Sequence, residues 1–119
     1  MKCFLFSILA LVALSVSVAA QQPSYPMSCA GADPSWSLVL DDGKAEFDFR
    51  RQSEMDIMLD TPAQGSEWPR ALTLIGRGDS AILILENRAC ENRNITARIL
   101  TQRGETPILL TGCCEMAEN

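Results

Sequence analysis

The sequence predicts an all-β domain, a small antiparallel meander of about seven strands that closes as a barrel or folds as a sandwich. Apolar and polar residues alternate along most of the chain, which is typical of strands with one buried face. Short turn signals separate the alternating segments. Beyond residue 20, no segment of more than ten residues keeps apolar positions at the spacing of three and four that a helix requires.

The clearest alternation lies in 44–50, where three apolar residues alternate with charged residues. The preceding segment 36–41 alternates in the same way. Asp42-Gly43, which lies between the two segments, is a strong hairpin signal because such turns need a positive φ that glycine adopts freely. We therefore predict that 36–41 pairs with 44–50.

The next alternating segment, 54–60, predicts a strand that places Met55, Ile57 and Leu59 towards the core and leaves Met58 towards solvent. The remaining predicted strands are 70–76, 81–85, 95–101 and 107–114. Together with the first hairpin, these segments make up the predicted meander.

Three segments depart from the simple alternation. Segment 81–85 is apolar on both faces, so we expect it to be covered on both sides, by its own chain or by another copy. Segment 61–67 contains proline and glycine and predicts a long loop. Segment 21–28, with Pro23 and Pro26, predicts an extended leader with no structure of its own.

The chain begins with the pattern of an export signal. Lys2 supplies a positive charge, an apolar run continues to Val16, and small residues at 18 and 20 form a cleavage site before Gln21. The apolar run is shorter than the roughly 18 to 20 residues of a membrane-spanning helix. The predicted organisation is a cleaved signal peptide at 1–20, the leader at 21–28 and a disulfide-stapled β domain at 29–119. The mature protein should be secreted, without a membrane span.

Composition excludes several classes of function. The chain carries 15 acidic and 10 basic residues, a net charge of −5, and no histidine. An acidic balance argues against binding nucleic acid or an anionic membrane, because both need clustered positive charge. Eight of the basic residues are arginines, which we interpret as scattered strand-face and loop charges. Without histidine there is no Ser-His-Asp triad and no histidine-ligated metal site.

Carboxylate pairs give no catalytic prediction either. Glu54 and Asp56 share the predicted solvent face of one strand, whereas a glycosidase pair needs a cleft around it. Solvated surface charge is the simpler interpretation. We therefore predict no catalytic residues, and we expect the protein not to be an enzyme.

Four cysteines lie beyond the predicted signal peptide: Cys29, Cys90, Cys113 and Cys114. Successive strand residues point to opposite faces, so the two neighbours Cys113 and Cys114 should have different partners. Two arrangements remain. We favour Cys90 with Cys113 and Cys29 with Cys114, because Cys90 lies next to the hairpin partner of the last strand and the first strand must be joined to the last where the sheet closes.

Other chemistry suits these cysteines less well. A zinc site usually has paired C-x-x-C ligands, and a thiol redox site has C-x-x-C at the start of a helix, but neither pattern occurs. Thiols of exported proteins are generally oxidised. We therefore predict two disulfides, with no metal and no cofactor.

Trp36 is the candidate ligand-binding residue. It would lie at the mouth of the first predicted strand, where its ring could stack on a ligand. Its alternation with Leu38 and Leu40 favours a core position instead, as an aromatic plug at one end of a barrel.

Two motifs resemble those of a family of small exported bacterial proteins of unknown function, described as uncharacterised periplasmic or membrane proteins. Segment 29–38 is similar to the family's C-x-G-x-E-P-F-W-S-L opening, with Asp33 for the usual Glu and Ser35 for Phe. Segment 110–114 resembles its L-x-G-C-C ending, and Cys90 falls at its central cysteine motif. The resemblance covers nearly all of the predicted mature chain and implies a Gram-negative periplasm.

Small disulfide-bonded periplasmic barrels that look broadly similar include inhibitors of lysozyme. The first functional expectation is therefore a binding module that engages an envelope or host protein through an exposed loop, 61–69 or 86–94. The acidic charge would suit a basic target. The alternative is a carrier that holds a small apolar ligand near Trp36, although bulky residues such as Phe47 and Phe49 could fill a small barrel themselves. The oligomeric state stays open.

Overall fold

The computed structural model describes residues 22–103 and 106–117; the predicted signal peptide at 1–20 lies outside the described residues. The eight strands are β1 (Met27–Ala32), β2 (Ser35–Asp41), β3 (Lys44–Phe49), β4 (Arg51–Pro62), β5 (Arg70–Gly76), β6 (Asp79–Glu86), β7 (Ile95–Thr101) and β8 (Ile108–Met116). Each strand pairs antiparallel with its chain neighbours, and β1 pairs with β8 to close a barrel. The all-β prediction is confirmed, with the barrel rather than the sandwich.

Strand β1 was not among the predicted strands. Its Ser, Ala and Gly residues are weak strand formers, but Met27 and Cys29 alternate with exposed neighbours and are buried. The strand pairs on both edges, with Met27 opposite Leu40 of β2 and Met116 of β8. The leader expected at 21–28 therefore ends before Met27, because its last two residues belong to the barrel.

The first predicted hairpin is confirmed by the register of β2 and β3. Leu38 lies opposite Phe47 and Leu40 opposite Ala45, all of them buried. The turn residues Asp42 and Gly43 both have positive φ, 48° and 76°. This is the backbone that a two-residue turn of type I′ needs, so the turn sequence sets the register of the hairpin.

A β-bulge interrupts β4 and corrects one core prediction. Met55 is buried and Ile57 partly buried, as expected, but the pairing with β5 shifts between Ile57 and Leu59. The extra residue, Met58, moves Leu59 to the outer face, where its side chain is 61% exposed. The prediction that Leu59 faces the core is therefore wrong, since a strict period of two ends at the bulge.

Two glycines make room for the indole of Trp36. A Cβ on Gly112 would lie 2.7 Å from Cζ2 of Trp36, and a Cβ on Gly31 would lie 2.9 Å from its Cδ1. Both distances are shorter than side chains tolerate. The indole therefore packs against the backbone of β1 and β8, close to the seam where the barrel closes.

The two predicted disulfides, Cys29–Cys114 and Cys90–Cys113, are both present. Cys29 and Cys114 are directly opposed across the β1–β8 seam, with Cα atoms 4.0 Å apart, and both are buried. Cys90 forms the second disulfide with Cys113, and their Cα atoms are 5.6 Å apart. Cys113 is the neighbour of Cys114 in β8, so its side chain points to the opposite face of the strand. One disulfide therefore lies inside the barrel, and the other fixes the β6–β7 loop to its outer wall.

Candidate functional surfaces

The interior of the barrel is filled by its own side chains. The largest fully buried side chains are those of Phe47, Met27, Leu38, Leu40, Met55, Leu72, Leu74, Leu83, Leu85, Ile95, Ile99 and Leu110. They belong to one continuous core cluster. An eight-stranded barrel is just wide enough for such side chains to fill it. The packing therefore favours binding on the outside of the barrel over the carrier alternative.

Trp36 belongs to this core. Its side chain is only 3% exposed, and its Nε1 donates a hydrogen bond to the backbone carbonyl of Thr111 at 3.0 Å. Its ring meets Phe47 edge to face, with centroids 6.3 Å apart. The indole leaves almost no surface for a ligand to stack on, so its position favours the packing role over the ligand-binding role.

The two loops expected to engage a partner are both anchored to the barrel. In the β4–β5 loop, Trp68 is 8% exposed and packs into the core cluster. In the β6–β7 loop, Cys90 and Arg93 exchange two backbone hydrogen bonds of 2.9 Å, and the disulfide to Cys113 holds the loop against β8. These loops thus cover parts of the barrel, and the wide exposed surfaces are the outer faces of its strands.

A polar cluster lies beside the β4–β5 loop. Asp60 accepts hydrogen bonds from the Nε of Arg70 at 2.9 Å and from the hydroxyl of Tyr25 at 3.3 Å, while Glu67 accepts a second bond from Arg70 at 2.9 Å. Partial burial raises the pKa of Tyr25, and the charge of Asp60 and its hydrogen bond raise the pKa further, against the opposing charge of Arg70. The cluster ties the segment before β1 to β4 and β5.

One outer surface, formed by β2, β3 and β4, is strongly acidic. Its carboxylates belong to Asp41, Glu46, Asp48, Glu54 and Asp56, which we call the acidic face. Lys44 is the cation among them, and it pairs with Asp56 at 2.5 Å. Glu46 lies directly opposite Glu54 on neighbouring strands. Like charges in directly opposed positions destabilise a sheet, so the face retains an unfavourable pair.

A shallow depression lies on the acidic face. It has a volume of about 310 Å³ and is lined by Val39, Asp41, Lys44, Glu46 and Glu54. Val39 is 40% exposed and lies opposite Glu46, so an apolar side chain adjoins the opposed carboxylates. The face therefore offers a concave contact with both charge and some apolar surface.

A mostly apolar row crosses the outer surface from β4 to β8, on strands whose outer faces also carry polar residues such as Arg98 and Thr111. Leu59, Thr73, Ile82, Leu100 and Leu109 occupy directly opposed positions on five successive strands, and we call them the apolar row. At about 4.8 Å per strand, the row extends over roughly 19 Å. Leu109 at its far end is 61% exposed. Segment 81–85 was expected to be covered on both sides, but in the single chain its outer Ile82 stays 38% exposed.

The bulge in β4 brings the two surfaces together. Glu54 and Asp56 precede it and belong to the acidic face, whereas Met58 forms it and Leu59 follows it on the apolar side. Sequence reasoning missed this junction because a bulge leaves no clear signal in the alternation.

No protein-family model, curated protein or solved structure matches the chain. Among residues 22–103 and 106–117 there is no helix long and apolar enough to cross a membrane. The same residues contain no cluster of three or more histidine, cysteine, aspartate or glutamate side chains that could hold a metal ion.

Proposed function

We propose that the protein is an exported periplasmic binding protein, not an enzyme, whose acidic face docks on a basic protein of the envelope or of a host, with lysozyme as the representative target. The observation that carries the proposal is the directly opposed pair Glu46 and Glu54. A cationic side chain from a partner would relieve the repulsion between them, so part of the binding energy would come from an interaction that the free protein leaves unfavourable.

Charge supports the speed and the selectivity of this encounter. The whole chain carries −5, and the acidic face concentrates five carboxylates around one lysine. Such a surface attracts cationic proteins and repels anionic ones, and the attraction weakens as salt rises. The two disulfides suit an oxidising compartment, in which a small domain gains most from crosslinks.

Apolar contact would supply the rest of the affinity. Exposed charges steer an encounter more than they hold a complex together. Met58 and Leu59, which are 58% and 61% exposed, border the acidic face on β4 and would extend the contact. We therefore expect the partner to combine a basic centre with an apolar rim on one side.

The test is direct binding to two basic proteins, hen lysozyme and cytochrome c, by calorimetry at low and at physiological salt. We compare the wild-type chain with the double variant Glu46→Gln/Glu54→Gln. Loss of two carboxylates should weaken binding about tenfold, equivalent to about 1.4 kcal/mol. The same variant should be about 0.2 to 1 kcal/mol more stable to unfolding, because the like-charge pair is gone.

Glu91→Gln is a control for general charge, and it removes one carboxylate where the double variant removes two. Glu91 is exposed in the β6–β7 loop, against the outer wall of β8 and away from the acidic face, so its loss changes net charge without changing the opposed pair. This variant should bind nearly as well as wild type. Absence of saturable binding to both basic proteins, or equal weakening by the control, would contradict the proposal.

A further inference from the structure

Three arginines meet at the end of the barrel that carries the β3–β4 and β7–β8 connections. Arg50, Arg51 and Arg103 line a pocket of about 520 Å³ together with four other residues, Phe49, Thr101, Thr106 and Ile108. Among these described lining residues there is no carboxylate. Three of the eight arginines, all expected from the sequence to be scattered, thus line one pocket on a protein whose net charge is −5.

Arg103 is held firmly in this pocket. Its Nε donates to Asp79 at 2.7 Å, and its Nη1 donates to the backbone carbonyls of Phe49 and Arg51. Its guanidinium also lies 4.8 Å from the ring centroid of Phe47. The side chain is therefore fixed before any ligand arrives, and a preorganised donor loses little entropy on binding.

Arg50 occupies a backbone position that favours glycine. It is the single residue between β3 and β4, and its φ is 65°. A non-glycine residue pays steric strain there. Its guanidinium lies 4.9 Å from the ring centroid of Phe49 and forms no ion pair with another described residue. An exposed cation kept at a strained position is more readily explained by a ligand than by folding.

Two lining residues also keep polar atoms without a partner. Oγ1 of Thr101 and Nη2 of Arg103 are shielded from solvent and have no hydrogen-bond partner in the described structure, and neither has Oδ1 of Asp79, the carboxylate that pairs with Arg103. Thr101 is 1% exposed. Buried polar groups are nearly always paired in folded proteins. The unpaired atoms of Arg103 and Asp79 belong to one ion pair, so the hydroxyl of Thr101 is the buried lining group that still needs a partner.

We propose that this pocket binds the oxyanion group of a small organic anion, a phosphate or a carboxylate carried on an apolar body. The planar guanidinium groups of Arg50 and Arg51 suit the paired oxygens of either group, while Arg103, whose Nε and Nη1 are already bonded, forms a fixed wall of the pocket. Phe49 and Ile108 supply an apolar wall for the body of the ligand. The site is separate from the acidic face, so it stands whether or not the protein docks on a basic partner.

The test is titration of the full mature chain with phenyl phosphate, benzoate and neutral benzyl alcohol at constant ionic strength, followed by amide NMR shifts. We expect saturable shifts for the two anions at residues 49–51, 101–103 and 106–108, and none for benzyl alcohol. Comparison of phenyl phosphate with benzoate identifies which oxyanion is preferred. Inorganic phosphate alone should bind less tightly than phenyl phosphate, because it has no apolar body.

Arg50→Gly separates binding from folding. Glycine removes the strain at φ 65°, so the variant should fold at least as well as wild type while its affinity for both anions falls about tenfold. Arg51→Ala should also weaken binding. Arg77→Ala is the control, since Arg77 is exposed in the β5–β6 turn at the same end of the barrel but does not line the pocket.

Two results would overturn the site. One is a lack of saturable shifts with either anion, and the other is equal affinity in wild type and in Arg50→Gly. A similar loss in Arg77→Ala would also contradict it, because general charge rather than the pocket would then account for binding. None of these outcomes bears on lysozyme binding at the acidic face, so failures of the two proposals are distinguishable.

Discussion

Removal of each disulfide in turn should show that the disulfide enclosing the longer stretch of chain contributes more to the free energy of unfolding. The Cys29–Cys114 bond spans 85 residues and the Cys90–Cys113 bond spans 23. In the chain-entropy account, a crosslink stabilises by restricting the unfolded chain, and the effect grows with the logarithm of loop length. These spans correspond to about 4.6 and about 3.4 kcal/mol as upper values.

The paired alanine variants test this ranking. Cys29→Ala/Cys114→Ala should lower the free energy of unfolding by up to about 4.6 kcal/mol, a large share of the roughly 5 to 15 kcal/mol typical of a domain. At about 4 to 8 °C per kcal/mol, its melting temperature should fall by about 18 to 37 °C. Cys90→Ala/Cys113→Ala should lose less, because its loop is shorter and lies outside the core.

Urea unfolding followed by tryptophan fluorescence measures both variants, since Trp36 and Trp68 are buried and become exposed on unfolding. The reduced wild-type protein serves as the reference for loss of both bonds. Greater destabilisation by the Cys90 and Cys113 pair than by the Cys29 and Cys114 pair would refute the loop-length reasoning. Unchanged midpoints in both variants would show that the β1–β8 hydrogen bonds alone hold the barrel closed.

Two further predictions concern single sites. Gly112→Ala should cost about 1 to 3 kcal/mol in chemical unfolding, because the new Cβ would lie 2.7 Å from both Trp36 and the Ala30 carbonyl carbon; wild-type stability would contradict this packing. Tyr25, the single tyrosine of the chain, should titrate above its ordinary pKa of about 10 in ultraviolet spectra, and Asp60→Asn should lower that pKa. Since the folded state holds this proton more tightly, the raised pKa of Tyr25 contributes stability below about pH 10, and that contribution is lost as pH rises through the folded pKa. A measured pKa at or below about 10 would contradict the prediction.

Much of the fold followed from local pattern. The period of two in β2, β3, β5 and β7 and the turn at Asp42-Gly43 predicted a meander, because alternation and turn chemistry are local properties. Strand β1 escaped prediction because it consists of small residues, and its pairing with β8 depends on chain closure rather than on local preference. The bulge after Ile57 likewise depends on the pairing with β5.

The candidate surfaces were less predictable than the fold. Carboxylates on alternate positions of β3 and β4 were read correctly as exposed, but the opposition of Glu46 and Glu54 depends on register. The arginine pocket joins Arg50 and Arg103, which are distant in sequence, through the closure of the barrel. The opposite faces of Cys113 and Cys114 excluded a bond between these neighbours, and the expected closure of the first strand on the last then favoured the observed pairing over the other arrangement.

The nested order of the two disulfides constrains how the chain can mature. A polypeptide that emerges N-terminus first presents Cys29 long before Cys114, and Cys90 is the next cysteine along the chain after Cys29. Oxidation in order of appearance would join Cys29 to Cys90 and leave Cys113 to bond Cys114. The native connectivity therefore requires either that Cys29 stays reduced until β8 arrives, or that a thiol-disulfide isomerase reshuffles an early mispaired bond.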